Sequence, residues 1–167
     1  ISINIVTWNS LKFLPQALES IRQQTYRDFR VLLIDNGSAD GSAKFIKENY
    51  PEFAILRNTK NLGFCKAHNQ GINYAMTHWV ADEAAHDLRG KFILLMNPDV
   101  ILEPDFLEKL MKQADSNNFP SVSSFGGKLF LAFQSDNIGM PDEFKSHILD
   151  STGISILKNR NMRDRGA

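Results

Sequence analysis

Apolar residues alternate at the start of the chain, at Ile1, Ile3 and Ile5 with Val6 added, which predicts a strand over residues 1–7. Leu11, Leu14, Leu18 and Ile21 then recur at spacings of three and four, the stripe of an amphipathic helix in which Pro15 must lie near the start. Val31-Leu32-Leu33-Ile34 is a short unbroken apolar run, the pattern of a strand covered on both faces in a parallel sheet. It leads into Asp35-Asn36-Gly37-Ser38, after which Asp40 or Ser42 can cap a helix carrying Ala43, Ile46 and Tyr50. The unit then repeats. A strand over residues 53–56 and a polar loop over 57–63 precede a helix presenting Phe64, Ala67, Ile72, Ala75 and Met76. A charged stretch, 82–89, leads into Phe92-Ile93-Leu94-Leu95-Met96, which reads as another buried strand. Pro104 suits the first turn of a helix whose apolar face is Phe106, Leu107, Leu110, Met111 and Ala114.

Four strands alternating with helices imply an α/β fold with a mostly parallel central sheet and helices on both faces. Beyond Ser116 the pattern changes. Residues 128–133 read as a strand, and Ile148-Leu149 with residues 154–157 read as a hairpin around Ser151-Thr152-Gly153. Those are antiparallel habits, so a small antiparallel extension of the main sheet is expected near the C-terminus.

Composition narrows the function classes. Lys plus Arg and Asp plus Glu are both 19, so the net charge is zero and no global field gathers nucleic acid; a nucleic-acid role is not expected. No apolar stretch approaches the roughly 20 residues of a membrane-spanning helix. Cys65 is the one cysteine, so no internal disulfide forms, which suits a reducing compartment; it reads as a small buried apolar residue, and the cytoplasm is the expected location. The chain opens at Ile1 without an initiator Met and closes on a polar stretch, which suggests a piece of a longer protein.

Three polar loops follow three of the predicted strands: Thr7-Trp8-Asn9-Ser10, the Asp35 to Ser42 segment, and Asn97-Pro98-Asp99. In a parallel sheet all strand carboxyl ends point one way, so these loops converge on the rim where open α/β sheets bind ligands. Each loop also has a plain reading as a turn, because Gly and Asn tolerate positive φ and Asp and Ser cap helices. Position distinguishes Asp99: a hard oxygen ligand at the end of a strand suits Mg²⁺ or Mn²⁺ held against a diphosphate, and Pro98 restricts where it points. Asp35 at its own strand end suits hydrogen bonding to a nucleobase or ribose. The segment from Asn58 to Gly71 supplies polar groups ahead of a helix N-terminus, where free N–H groups favour anions. His68 has no Cys or His partner at zinc spacing and reads as a surface or hydrogen-bonded histidine. The basic residues Lys158, Arg160, Arg163 and Arg165 read as a solvated loop, with a phosphate or an anionic membrane surface as the alternative partner.

Taken together, Ile5-Val6-Thr7-Trp8-Asn9-Ser10, Leu33-Ile34-Asp35-Asn36-Gly37-Ser38-Ala39-Asp40-Gly41-Ser42, Asn61-Leu62-Gly63-Phe64 through Asn69-Gln70-Gly71-Ile72, and Leu95-Met96-Asn97-Pro98-Asp99-Val100 resemble glycosyltransferase family 2. The order and spacing are similar to the nucleotide-binding half of its Rossmann-like GT-A fold. The Asn-Pro-Asp form most resembles the rhamnosyltransferase-like branch.

The resemblance implies a single GT-A domain over residues 1–167, with 1–115 as the nucleotide-sugar-binding half and 116–167 as the start of the acceptor half. It implies that Thr7 and Asn9 lie beside the base and ribose, that Asp35 and its neighbour Asn36 belong to the donor site with Asp35 on the pyrimidine, and that Asn61, Gly63 and Asn69 shape its floor. Asp99 falls at the last position of the family's Asp-x-Asp metal motif, making it the expected ligand of Mn²⁺ or Mg²⁺. Asn97 stands at the first position, where an acidic residue is usual, and is assigned to the donor.

The implied chemistry is inverting transfer from a UDP- or dTDP-sugar, dTDP-rhamnose included, to a saccharide or lipid-linked acceptor in cell-surface polysaccharide biosynthesis. That places the protein in the cytoplasm, with peripheral association at the inner face of the membrane as an option. No catalytic base is assigned; Asp142, Glu143 and Asp150 are carboxylates in the expected region, none singled out. A catalytically silent nucleotide-sugar-binding domain is the competing reading. A nucleotidyltransferase is disfavoured because residues 7–14 contain no glycine.

Overall fold

The computed structural model describes residues 1–80, 92–115, 124–132, 145–151, 154–156 and 162–164. The chain divides into two compact units, Ile1–Lys109 and Leu110–Ala167.

The first unit is an open α/β sheet. Its elements run β1 (Ser2–Thr7), α1 (Leu14–Arg22), β2 (Arg30–Asp35), α2 (Ser42–Asn49), β3 (Ala54–Arg57), α3 (Phe64–Ala75, continued by a π-helical turn Met76–Val80), β4 (Ile93–Met96) and the start of α4 (Phe106–Asp115). The four strands are parallel and lie in the order β3-β2-β1-β4. Crossovers between parallel strands are right-handed. Steps β1→β2 and β2→β3 move one way across the sheet and the step to β4 moves back, so α1 and α2 cover one face and α3 the other.

Two approaches lock these layers. A Cβ on Gly71 of α3 would lie 2.8 Å from Ile34 Cδ1 and 3.1 Å from Asn4 Nδ2, so the absence of a side chain is what lets α3 settle on β1 and β2. At the other end, α1 is fastened to the segment leading into α4. The Gln24 amide is buried; its Nε2 donates to the Ser20 and Glu103 carbonyls and its Oε1 accepts from the Leu107 amide. The core consists of Ile3, Ile5, Leu14, Leu18, Ile21, Leu32, Leu33, Ile34, Ile46 and Leu107, all fully buried. The alternation of Ile1, Ile3 and Ile5 and the stripe of α1 identified these positions well.

Several expectations are corrected. β4 is not buried throughout: Leu95 is 47% exposed, because β4 pairs only with β1 among the described residues. Cys65, Phe64 and Met76 are exposed rather than inward. The buried stripe of α3 is Ala67, His68, Gly71 and Ala75, rotated from the predicted face because a glycine and a histidine hold the sheet-facing positions. His68 is therefore buried, not on the surface, and neither ring nitrogen has a hydrogen-bond partner among the described residues.

In the second unit, β5 (Leu129–Ala132) pairs antiparallel with β6 (Lys145–Ser151), and β7 (Ile154–Ile156) pairs antiparallel with β8 (Met162–Asp164). The predicted hairpin between Ile148-Leu149 and residues 154–157 does not form: Leu149 pairs with Phe130 across β5 and β6. Arg163, expected in a loop, lies within β8. The ladders make two separate two-stranded sheets, so an antiparallel extension of the main sheet is not confirmed. Asp142, Glu143, Lys158, Arg160, Arg165 and the charged stretch 82–89 lie outside the described residues.

Candidate functional site

The site is built at the carboxyl edge of the four-stranded sheet, where the register aligns three strand ends. Thr7 lies opposite Asp35, and Asp35 opposite Arg57. On the other side of β1, Ile5 lies opposite Met96, so Asn97-Pro98-Asp99 leaves the same edge. The strand order changes its direction of advance between β1 and β4, which remain parallel, and the carboxyl ends at such a switch point frame the binding crevice of open α/β sheets. Thr7 and Asn9 follow β1 and Asp99 follows β4. Asp35 stands two strands from β4, about 10 Å away by ordinary strand spacing.

Hydrogen bonds weld the loops into one rim. The Asn36 amide donates to the Thr7 carbonyl at 2.8 Å, extending the β1–β2 ladder by one bond. Asn9 adopts a positive φ of 50°; its amide donates to Ser38 Oγ and its Oδ1 accepts from the Ala39 amide. Asp40 bridges the same two loops: Oδ2 accepts from the Leu11 amide, while Oδ1 accepts from both the amide and hydroxyl of Ser42. Burial alone would raise the Asp40 carboxyl, yet these donors together hold it below the usual carboxylate range. Asp40 thus satisfies the first turn of α2, whose N-cap position is Gly41 at φ 94°.

Asn36 organises the third loop. Buried, it donates from Nδ2 to Asn61 Oδ1 at 2.8 Å and accepts at Oδ1 from the Leu62 amide and Asn58 Nδ2. Asn61 Oδ1 also accepts from the Gly63 amide, and Gly63 at φ 83° turns the chain into α3. Asn36 and Asn61 thereby spend their side chains on each other and on the loop, while Gly63 is open: a Cβ there would meet nothing within 4 Å. Asn69 lies outside this network, exposed on α3, lining a surface depression of about 420 Å³ with Leu62, Lys66, Gln70 and Asn73.

Asp35 is the central charge of the rim. It is fully buried. Its Oδ1 accepts from the Ser38 amide at 3.1 Å. Its Oδ2 lies 3.2 Å from Arg57 Nε, an ion pair whose direction makes no hydrogen bond, so Oδ2 keeps its acceptor capacity. Thr7 Oγ1 is likewise buried without a partner among the described residues. Buried polar atoms are nearly always paired, so two unpaired atoms on facing residues at a strand end mark a place suited to a ligand.

Asp99 and Asn97 are exposed, in a turn closed by the Val100 amide on the Asn97 carbonyl. Among the described residues no three His, Cys, Asp or Glu side chains cluster around a metal position. A lone carboxylate of this type fits a hard cation that takes its remaining oxygens from a bound diphosphate, not one caged by protein alone. Sequence reading passed over Trp8, which is 54% exposed beside Thr7, and Arg57, read as loop although it closes β3; the exposed aromatic and the register opposite Asp35 are what single them out.

A parallel sheet of this order, with its polar loops at the switch point, defines a Rossmann-like nucleotide-binding architecture. The chain belongs to glycosyltransferase family 2, whose family model matches residues 2–161. It is 31% identical over 121 residues to the N-acetylglucosaminyl-diphospho-decaprenol L-rhamnosyltransferase of Mycobacterium tuberculosis, covering 72% of this chain and 38% of that protein. It is 30% identical over 122 residues to an uncharacterized glycosyltransferase, MJ1057, of Methanocaldococcus jannaschii, covering 70% of this chain and 38% of that one. The chain thus spans about two fifths of the length of these relatives. Among solved structures, S. aureus TarS 1–349 in complex with UDP-GlcNAc superposes with a TM-score of 0.56 at 20% identity, over 68% of this chain and 30% of that one. The mannosyltransferase PcManGT of Pyrobaculum calidifontis, in complex with GDP-Man and Mn²⁺, gives 0.55 at 18% identity, over 70% and 32%. These likenesses establish the GT-A fold.

Proposed function

We propose that the chain carries the donor-binding part of an inverting glycosyltransferase. In this reading it moves a sugar from a UDP- or dTDP-sugar to a saccharide or lipid-linked acceptor during cell-surface polysaccharide synthesis at the cytoplasmic face of the membrane. One observation carries the reading: Asp35 ends β2 and Asp99 lies in the turn after β4, on either side of the switch point of one parallel sheet, with buried acceptors unpaired among the described residues beside one and an open turn at the other. Asp35 and Thr7 take the base and ribose, Asn9 and Gly63 shape the approach, and Asn36 and Asn61 hold that loop in form. Trp8 offers an aromatic face for stacking. The rhamnosyltransferase relative favours dTDP-rhamnose as a donor to try first.

Asp99, with Asn97 beside it, would hold Mn²⁺ or Mg²⁺ jointly with the donor diphosphate. Such an ion supplies Lewis-acid stabilisation of the departing diphosphate, worth several kcal/mol. Asn97, a neutral residue, also favours a second reading, a nucleotide-sugar-binding domain without turnover. The deciding experiment titrates UDP-GlcNAc and dTDP-rhamnose with and without Mn²⁺ and assays donor hydrolysis and transfer. Metal-dependent binding with turnover supports the enzyme, binding without turnover supports the silent module, and no binding contradicts both.

A further inference from the structure

Arg57 is placed to do more than neutralise Asp35. Its side chain is 59% exposed, whereas the carboxylate it touches is wholly covered, and the pairing at 3.2 Å involves Nε alone. A guanidinium carries five N–H donors, so its terminal nitrogens remain available for another partner at that edge. Arg57 lies directly opposite Asp35 in the β2–β3 register. Because Asp35 is wholly covered, a ligand that reaches Oδ2 requires its neighbours to give way, and Arg57 is the neighbour in contact with that oxygen. A guanidinium that stays at this register position stands beside the atoms next to the one Asp35 accepts from.

Resting on the donor-site reading above, we infer that Asp35 and Arg57 together form the base-reading edge of the site and that Arg57 sets its selectivity. An acceptor beside a donor complements the imide of uracil or thymine, whose ring N–H is flanked by a carbonyl. Cytosine at the same place turns a ring nitrogen lone pair toward Asp35 and an amino group toward Arg57, opposing both. A site built to hydrogen-bond one pattern rejects the other strongly because its own polar groups are left unpaired. Arginine suits this position over lysine because its planar fork can keep one edge near the carboxylate and offer another to the base.

The test measures affinities of the intact protein for UDP, dTDP and CDP without metal, for the native sequence and for Arg57→Gln, Arg57→Lys and Asp35→Asn. Thermal denaturation accompanies each variant. The native protein is expected to bind UDP and dTDP at least about tenfold tighter than CDP. Arg57→Gln, whose amide can present either an oxygen or an NH₂ group, is expected to weaken UDP and dTDP by about tenfold while leaving CDP nearly unchanged. Arg57→Lys should recover only part of the loss. An unchanged UDP-to-CDP ratio in Arg57→Gln overturns this inference, and if Asp35→Asn still abolishes binding, the donor site itself stands. Indifference of every nucleotide to both residues overturns the inference and the donor-site reading together.

Discussion

Gly37 and Lys60 touch backbone to backbone. A Cβ on Gly37 would lie 2.9 Å from both Cα and the carbonyl carbon of Lys60, and Gly37 has φ +82°, so no other residue fits. The loop after β2 and the loop after β3 therefore close against each other at the site's edge. Gly37→Ala adds a left-handed-region cost of about 1–2 kcal/mol to overpacking of about 1–3 kcal/mol. Urea unfolding should show a loss of at least about 2 kcal/mol with weakened UDP binding; unaltered stability would mean the two loops separate freely.

Asn36 supports that closure through its side chain, which bonds the Asn61 and Asn58 side chains and the Leu62 amide. Asn36→Ala removes the hydrogen bonds of a buried side chain to half-buried and exposed groups of that loop, at about 0.5–1.5 kcal/mol each. We expect faster amide exchange over residues 58–63 and lower nucleotide affinity, with β1 and α1 unaffected. Unchanged exchange in that loop would remove Asn36 from its organising role.

Gln24 provides the contrasting case. α1 runs back from the carboxyl edge, so Gln24 lies near the amino edge of the sheet, far from the proposed site. Gln24→Leu, close in volume, strips the hydrogen bonds to Glu103 and Leu107 and should cost about 2–4 kcal/mol while leaving UDP affinity intact in the folded protein. Loss of affinity at full folding would show that the two edges are coupled.

His68 links stability to pH. Burial lowers its pKa from 6.5, and its ring packs edge-on against Phe64 at 4.3 Å. The folded state then binds fewer protons than the unfolded state below pH 6.5, so the stability from a neutral His68 is complete above that pH and declines as pH falls toward the folded value. Denaturant midpoints at pH 7.5 and 5.5 should fall less in His68→Leu than in the native protein. Equal falls would assign the acid sensitivity elsewhere.

How far the sequence was legible follows from the kind of signal each element carries. β1, α1 and β2 were readable because their apolar residues keep one period, and the rim was readable because Thr7, Asp35 and Asp99 each follow such a run. α3 misled: Gly71 and His68 face the sheet there, and neither looks like a core residue in a hydrophobicity pattern. Arg57 was invisible because its meaning comes from register opposite Asp35, a relation between strands that no local window contains. Of the strands after Leu110, β5, β6 and β7 were anticipated as segments but mispaired, and β8 was read as a loop, since pairing of short strands depends on partners that no local window contains.

The central claim is that Asp35 and Asp99 serve one nucleotide-sugar site from two strands of one sheet. Calorimetric titration of the UDP- or dTDP-sugar that binds, with and without Mn²⁺, into the native protein, Asp35→Ala and Asp99→Ala tests it most directly. Asp99→Ala should erase the metal-dependent gain in affinity, about tenfold or more, and leave metal-free binding in place, while Asp35→Ala should weaken binding in both conditions. Native-like titrations from both variants would contradict the account.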